Sequence, residues 1–101
     1  MLPFARFRVE DDSMKPYLEA GDYVLVNRWA YRFRPPKAGD VVVFSDPHMD
    51  GRYLVKRIAR PSSPNRYDVA GDNAAQSRDS RKFGPIERER ILGKVWLRFK
   101  P

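Results

Sequence analysis

The chain has 101 residues, of which 42% are hydrophobic and 33% charged, and its formal net charge is +7. That length suits one small domain, residues 1–101, built on one core, and the apolar content excludes a disordered chain. No cysteine is present, which removes a disulfide framework and a thiolate metal site and agrees with a reducing compartment.

From the start of the chain, "MLPFARFRVE" carries Arg6 and Arg8 where a signal peptide would need an unbroken apolar stretch. The apolar runs are short, as in "VVVF" from Val41 to Phe44, whereas a membrane-spanning helix needs roughly 20 apolar residues. A cytoplasmic location is expected. Helical periodicity is nearly absent; short β-branched and aromatic runs alternate with Gly, Pro, Asp and Asn, the pattern of an all-β domain. Strands are predicted at Phe4–Val9, Asp22–Trp29, Asp40–Ser45, Arg52–Arg60, Arg66–Ala70 and Gly93–Phe99. Between the first two, "SMKPYLEA" predicts about one helical turn, with Ser13 in an N-cap position and Pro16 limiting its length. "AGD" occurs twice, at Ala20–Asp22 and Ala38–Asp40, each time feeding a valine-rich strand. "SDPHMDG" and "RPSSPN" read as turns, and "IERER" as a second short helical piece.

The densest basic and aromatic stretch is "RWAYRFRPPK", Arg28 to Lys37. Interleaved arginines and aromatics can stack on bases or sit at a membrane interface; the plainer reading is a solvated loop ended by prolines. No nucleic-acid-binding motif accompanies the charge, so no specific nucleic acid is expected. Nothing has metal-site spacing, and neither metal nor cofactor is expected.

"YLVKRIA", Tyr53 to Ala59, raises a chemical question. Side chains alternate along a strand, so Leu54, Lys56 and Ile58 share a face, and an ammonium is costly to bury there. Burial disfavours the charged form of a lysine, and a neutral lysine is a general base. The alternative is a stem that snorkels to solvent. A base needs a nucleophile. The single histidine, His48, lies in the polar turn "DPHMD" with no supporting pattern. "DDSMKP" offers Ser13, at a strand-to-turn junction that can point a hydroxyl outward and free backbone N–H groups for an oxyanion hole. The plainer role for such a serine is a cap.

Four blocks, "SMKPYLEAGDYVLVNRWAYRF", "GDVVVF", "YLVKRIA" and "GDNAAQSRDSRKFGPI", resemble in that order the conserved boxes of type I signal peptidases, the Ser/Lys membrane-associated endopeptidases. The resemblance runs from about Asp12 to Lys94. It implies a small catalytic core of twisted antiparallel sheets forming a partly open barrel. It implies Ser13 as nucleophile, Lys56 as general base, and Ser77 as a hydrogen-bond partner that orients the lysine amine. Asp79 and Arg81 fall where an ion pair supports the site, Gly71, Asp72 and Asn73 form the turn opening the last block, and Met14 either plugs the core or lines the substrate cleft. A carboxylate beside Lys56 would raise its pKa, so Asp79 is expected to face Arg81.

The sequence departs from that family at three points: no membrane anchor precedes Ser13, little chain separates Lys56 from Gly71 where many bacterial members carry an inserted β-domain, and Asp11 stands where many have an oxyanion-hole serine. Asp11 is expected to point away, leaving the Ser13 N–H as the main donor. An anchorless minimal core is most similar to the small soluble proteases that mature nickel-type superoxide dismutase by removing an N-terminal propeptide. The alternative is signal peptidase-like processing of secretory preproteins, with peripheral contact to anionic lipid through Arg28–Lys37. The expected partner is a protein precursor whose N-terminal extension binds as an extended strand. A self-cleaving Ser-Lys repressor would need a DNA-binding domain, for which the chain has no room, and a nucleic-acid binder would leave "GDNAAQSRDSRKFGPI" unexplained.

Overall fold

The computed structural model describes residues 2–100. Its strands are β1 (Phe4–Arg8), β2 (Tyr23–Asn27), β3 (Val41–Ser45), β4 (Tyr53–Ser63), β5 (Arg66–Ala70), β6 (Ile86–Glu87) and β7 (Ile91–Phe99), with one helical turn, α1 (Ser80–Phe83). All seven strands form one antiparallel sheet in the order β1-β2-β7-β3-β4-β5-β6. The all-β expectation holds. No helix among the described residues is long and apolar enough to cross a membrane.

The burial pattern explains the strand sequences. In β2, Val24 and Val26 are buried while Tyr23, Leu25 and Asn27 are only half-buried, the alternation of a strand with one covered face. β3 is covered on both faces, hence its unbroken "VVVF". Val41 and Val43 join a core with Val9, Met14, Leu18 and Val24, whereas Val42 and Phe44 join another with Leu54, Ile58, Tyr67 and Val69. Two apolar clusters on opposite faces thus replace the single core expected from chain length. Each fully buried Val, Leu or Phe contributes about 1.5–3 kcal/mol, so β3, feeding both clusters, is the stem of the domain.

Three strands separate β1 from β4 in the sheet, yet the Phe7 and Tyr53 rings approach to 5.6 Å between centroids. The sheet therefore coils until its β1 edge faces the start of β4, leaving an open seam. β1 pairs only with β2, and β4 pairs with β5 only from Arg57 onward. Both sides of the seam present unpaired backbone.

Two local expectations are corrected. "RPSSPN" is mostly strand: β4 runs on to Ser63, with register shifts around Arg60 and Pro61, and the turn shrinks to Pro64–Asn65. A proline is tolerated at such irregularities because the regular ladder is already interrupted there. "IERER" gives β6 and a 3-10 turn at Arg88–Arg90, because Ile86 is drawn into the second core and pairs with Tyr67. The short turn expected in "SMKPYLEA" is present, with no assigned helix: the Leu18 N–H donates to the Met14 carbonyl at 3.0 Å and the Lys15 N–H to the Asp12 carbonyl at 3.2 Å.

Candidate active site

Lys56 lies in β4 opposite Val42, on the face shared with Leu54 and Ile58, and is 2% exposed. Its Nζ is 2.7 Å from Ser13 Oγ, a buried hydrogen bond spanning 43 positions of sequence. Ser13 is itself buried. The pair lies on a cleft of about 430 Å³ at the seam, walled by Phe7, Asp11 and Met14 on one side and by Tyr53 and Leu54 on the other.

The Ser13 loop is held by the turn that follows β5. The Asn73 N–H donates to the Ser13 carbonyl at 2.8 Å and the Asn73 side-chain amide to the Asp12 carbonyl at 3.1 Å. Asp72 takes a two-pronged ion pair from Arg57, at 2.9 and 2.8 Å, which ties this turn to β4. Arg57, alternating away from Lys56, thus has a structural role. Gly71 is where these pieces meet: a Cβ there would lie 2.2 Å from Ser77 Oγ and 2.6 Å from the Ser13 carbonyl oxygen. No side chain fits that gap.

Burial pushes the Lys56 pKa below that of a free lysine. The carboxylates of Asp11 and Asp79 pull it back up, and the guanidinium groups of Arg78 and Arg52 push it down again. Asp79, 0% exposed, has the opposite surroundings. Burial acts to raise its pKa, but hydrogen bonds from Arg81, the Gly71 N–H and Ser77 prevail and hold it well below the usual carboxylate range. Arg81 approaches with Nε at 3.0 Å and Nη2 at 3.1 Å, while the Arg81 N–H, also on Asp79, makes that residue the cap of α1.

A buried amine within hydrogen-bond distance of a hydroxyl can, when neutral, withdraw that proton and leave an alkoxide-like nucleophile. The family described as "Signal peptidase, peptidase S26" matches residues 1–61 and 63–100. The chain belongs to that family. Its relatives include the "Probable signal peptidase I-1" of Synechocystis, 29% identical over 92% of this chain and 69% of that protein. The "Mitochondrial inner membrane protease subunit 1" of Schizosaccharomyces pombe is 33% identical over 83% of this chain and 68% of that protein. "Signal peptidase I" of Pseudomonas aeruginosa is 30% identical over 86% of this chain but only 33% of its own length.

In this S26-family chain, hydrogen bonds link Ser13 to Lys56 and Asn73, Asp72 to Arg57, and Asp79 to Gly71, Ser77 and Arg81. Met14 has both of its anticipated positions: it is buried in the first core and it borders the cleft. His48 is exposed in its turn. Two expectations are revised. The Ser77 hydroxyl donates to Asp79 at 2.9 Å, where a hydrogen bond to Lys56 was anticipated; the adjacent buried carboxylate is the stronger acceptor. Asp11 does not point away, for its Oδ1 accepts the Ser13 backbone N–H at 3.1 Å.

Sequence reasoning missed the cations beside the lysine. Asp46, a buried carboxylate in the "SDPHMDG" turn, accepts a hydrogen bond from Arg78 and lies 3.8 Å from Arg52. It thereby fixes two positive charges that disfavour a charged Lys56. The signal was present in "SRDSR", where pairing Asp79 with Arg81 leaves Arg78 over, but only the fold supplies Asp46.

Proposed function

We propose that this chain is the catalytic core of a signal peptidase-like serine endopeptidase that removes N-terminal extensions from protein precursors. The observation supporting it is the 2.7 Å contact between Ser13 Oγ and the buried Lys56 Nζ. Neutral Lys56 takes the Ser13 proton as Oγ attacks the scissile carbonyl, and the resulting ammonium gives that proton to the departing amine. Lys56, neutral again, then activates the water that cleaves the acyl ester. The oxyanion binds to backbone N–H groups at the Ser13 turn. Asp79, Arg81, Ser77 and the Gly71–Asn73 turn position the pair without touching substrate. The precursor lies extended in the seam, between the free edges of β1 and β4, where its backbone finds partners on both sides.

The relatives named above are signal peptidases and an organellar inner-membrane protease. They favour processing of exported or sorted precursors over nickel superoxide dismutase maturation, reversing the order suggested by chain length. Peripheral contact with an anionic membrane fits this reading. The outer face of β1, β2 and β7 exposes Phe4, Trp96, Leu97 and Phe99, and the neighbouring loop exposes Trp29 and Phe33 among arginines. Aromatic rings with basic neighbours are suited to a headgroup layer.

The test is cleavage of a precursor panel, secretory preproteins and a nickel superoxide dismutase precursor among them. Ser13→Ala and Lys56→Ala each remove turnover by at least about 10⁴-fold with the fold retained, and the parent's rate rises with pH through a pKa below about 10.4, the free-lysine value. Comparable turnover in either variant refutes the mechanism.

A further inference from the structure

Asp11 has consequences for both halves of the proposed pair. Its carboxylate accepts the Ser13 N–H, the backbone donor of the nucleophile itself. An oxyanion forming at Ser13 needs that donor, and a carboxylate in the same place opposes it twice, by occupying the N–H and by charge. Asp11 is exposed and forms part of the cleft wall together with Ser13, Met14 and Lys56. Its side chain is open to solvent, so an incoming peptide can displace it.

We infer that Asp11 is a self-inhibiting latch, closed on the Ser13 N–H in the free protein and expelled when substrate enters the cleft. The inference rests on the Ser13/Lys56 reading. The latch also acts on the base. The charges facing Lys56 are Asp11 from the Ser13 loop, Asp79 and Arg78 from the segment before α1, and Arg52 from the start of β4. The two carboxylates favour the ammonium and the two arginines oppose it, and Asp11 is the larger of the carboxylate influences. An ionised Asp11 thus holds the lysine protonated over a wider pH range while it blocks the oxyanion donor. Only a ligand offering a carbonyl oxygen to Ser13 relieves the second effect. Asp11 is in this sense a positioning residue that acts through Ser13 and Lys56, and it suppresses cleavage of any peptide too weakly bound to dislodge it.

Two variants separate the effects. Asp11→Asn keeps an acceptor and removes the charge; its pH–rate limb moves to lower pH, and its plateau gains less than that of Asp11→Gly. Asp11→Gly removes both, moving the limb similarly and raising the plateau kcat/KM by about 10-fold or more with kcat little changed, part of the roughly 10²–10³-fold range associated with one oxyanion donor. The Lys56 amine, followed by NMR titration without substrate, shows the same fall in pKa in both variants. An Asx turn that merely orders the loop would lower the melting temperature and leave the titration where it was. The latch is overturned if the Lys56 titration is unmoved in Asp11→Asn, or if Asp11→Gly, folded by thermal melt, has a plateau no higher than the parent. Failure of the underlying reading looks different: the parent's own cleavage would survive Ser13→Ala.

Discussion

Lys56 and Asp79 are both buried charges of this domain, and they are treated in opposite ways. Asp79 is given a guanidinium, two backbone N–H groups and a hydroxyl, so its charge is retained. Lys56 is given one hydroxyl and an apolar strand face, and the nearby carboxylates of Asp11 and Asp79 only partly offset its burial, so its charge is disfavoured. A few residues of "SRDSR" supply both environments, Asp79 with its donors and Arg78 with its unfavourable field. A buried ion that is fully hydrogen-bonded serves as a fixed anchor, whereas one deprived of partners becomes a proton acceptor. The contrast marks which of the two does chemistry.

The most damaging way to break this arrangement is at Gly71, where the two environments touch. Gly71→Ala drives a Cβ against Ser77 Oγ and the Ser13 carbonyl. A shift of about 1 Å at the nucleophile is expected to lower kcat about 100-fold, measured by steady-state cleavage; a rate near the parent's would show the gap to be soft.

Next in size, Asp79→Asn leaves Arg81 and the Gly71 N–H facing a poorer acceptor and costs about 1–3 kcal/mol at neutral pH, read by urea denaturation. Because the folded pKa of Asp79 is depressed, its stabilisation is present above the unfolded value near 3.9 and fades as pH falls through the folded one. Parent and variant should converge in acid. A difference constant with pH would remove the charge from the explanation.

The smallest effect sharpens the contrast from the other side. The folded pKa of Lys56 is lowered, so below the unfolded value the denatured chain binds a proton that the native state resists, and stability falls as pH falls toward the folded pKa. Lys56→Met escapes this. It should be more stable than the parent by about 0.5–2 kcal/mol, with the advantage growing from alkaline to neutral pH, while cleavage is lost. A less stable Met variant would mean that Lys56 is an anchor like Asp79.

Much of this was legible beforehand. Lys56 was marked by its position between Leu54 and Ile58 in an alternating strand, and the catalytic blocks by their order. Asp79 was expected to face Arg81 because of the damage a carboxylate would do beside the lysine; Arg81 does contact it twice, and its charge still reaches Lys56. The misreadings share a cause. "IERER" and "RPSSPN" were read by local propensity, and pairing with β5 overrode both. Asp11 was read by what catalysis requires, whereas the free chain satisfies the nearest N–H.

The sequence by itself determined six of the seven strands, the covered face that carries Lys56, and the residue types of the site, because alternation, turn chemistry and charge are local properties that survive without a fold. Only the tertiary structure decided that a serine 43 positions away lies 2.7 Å from that lysine, that Ser77 belongs to Asp79, and that Asp46 holds Arg78 and Arg52 beside the amine. Those are distances between distant segments, set by how the sheet coils and how two cores pack.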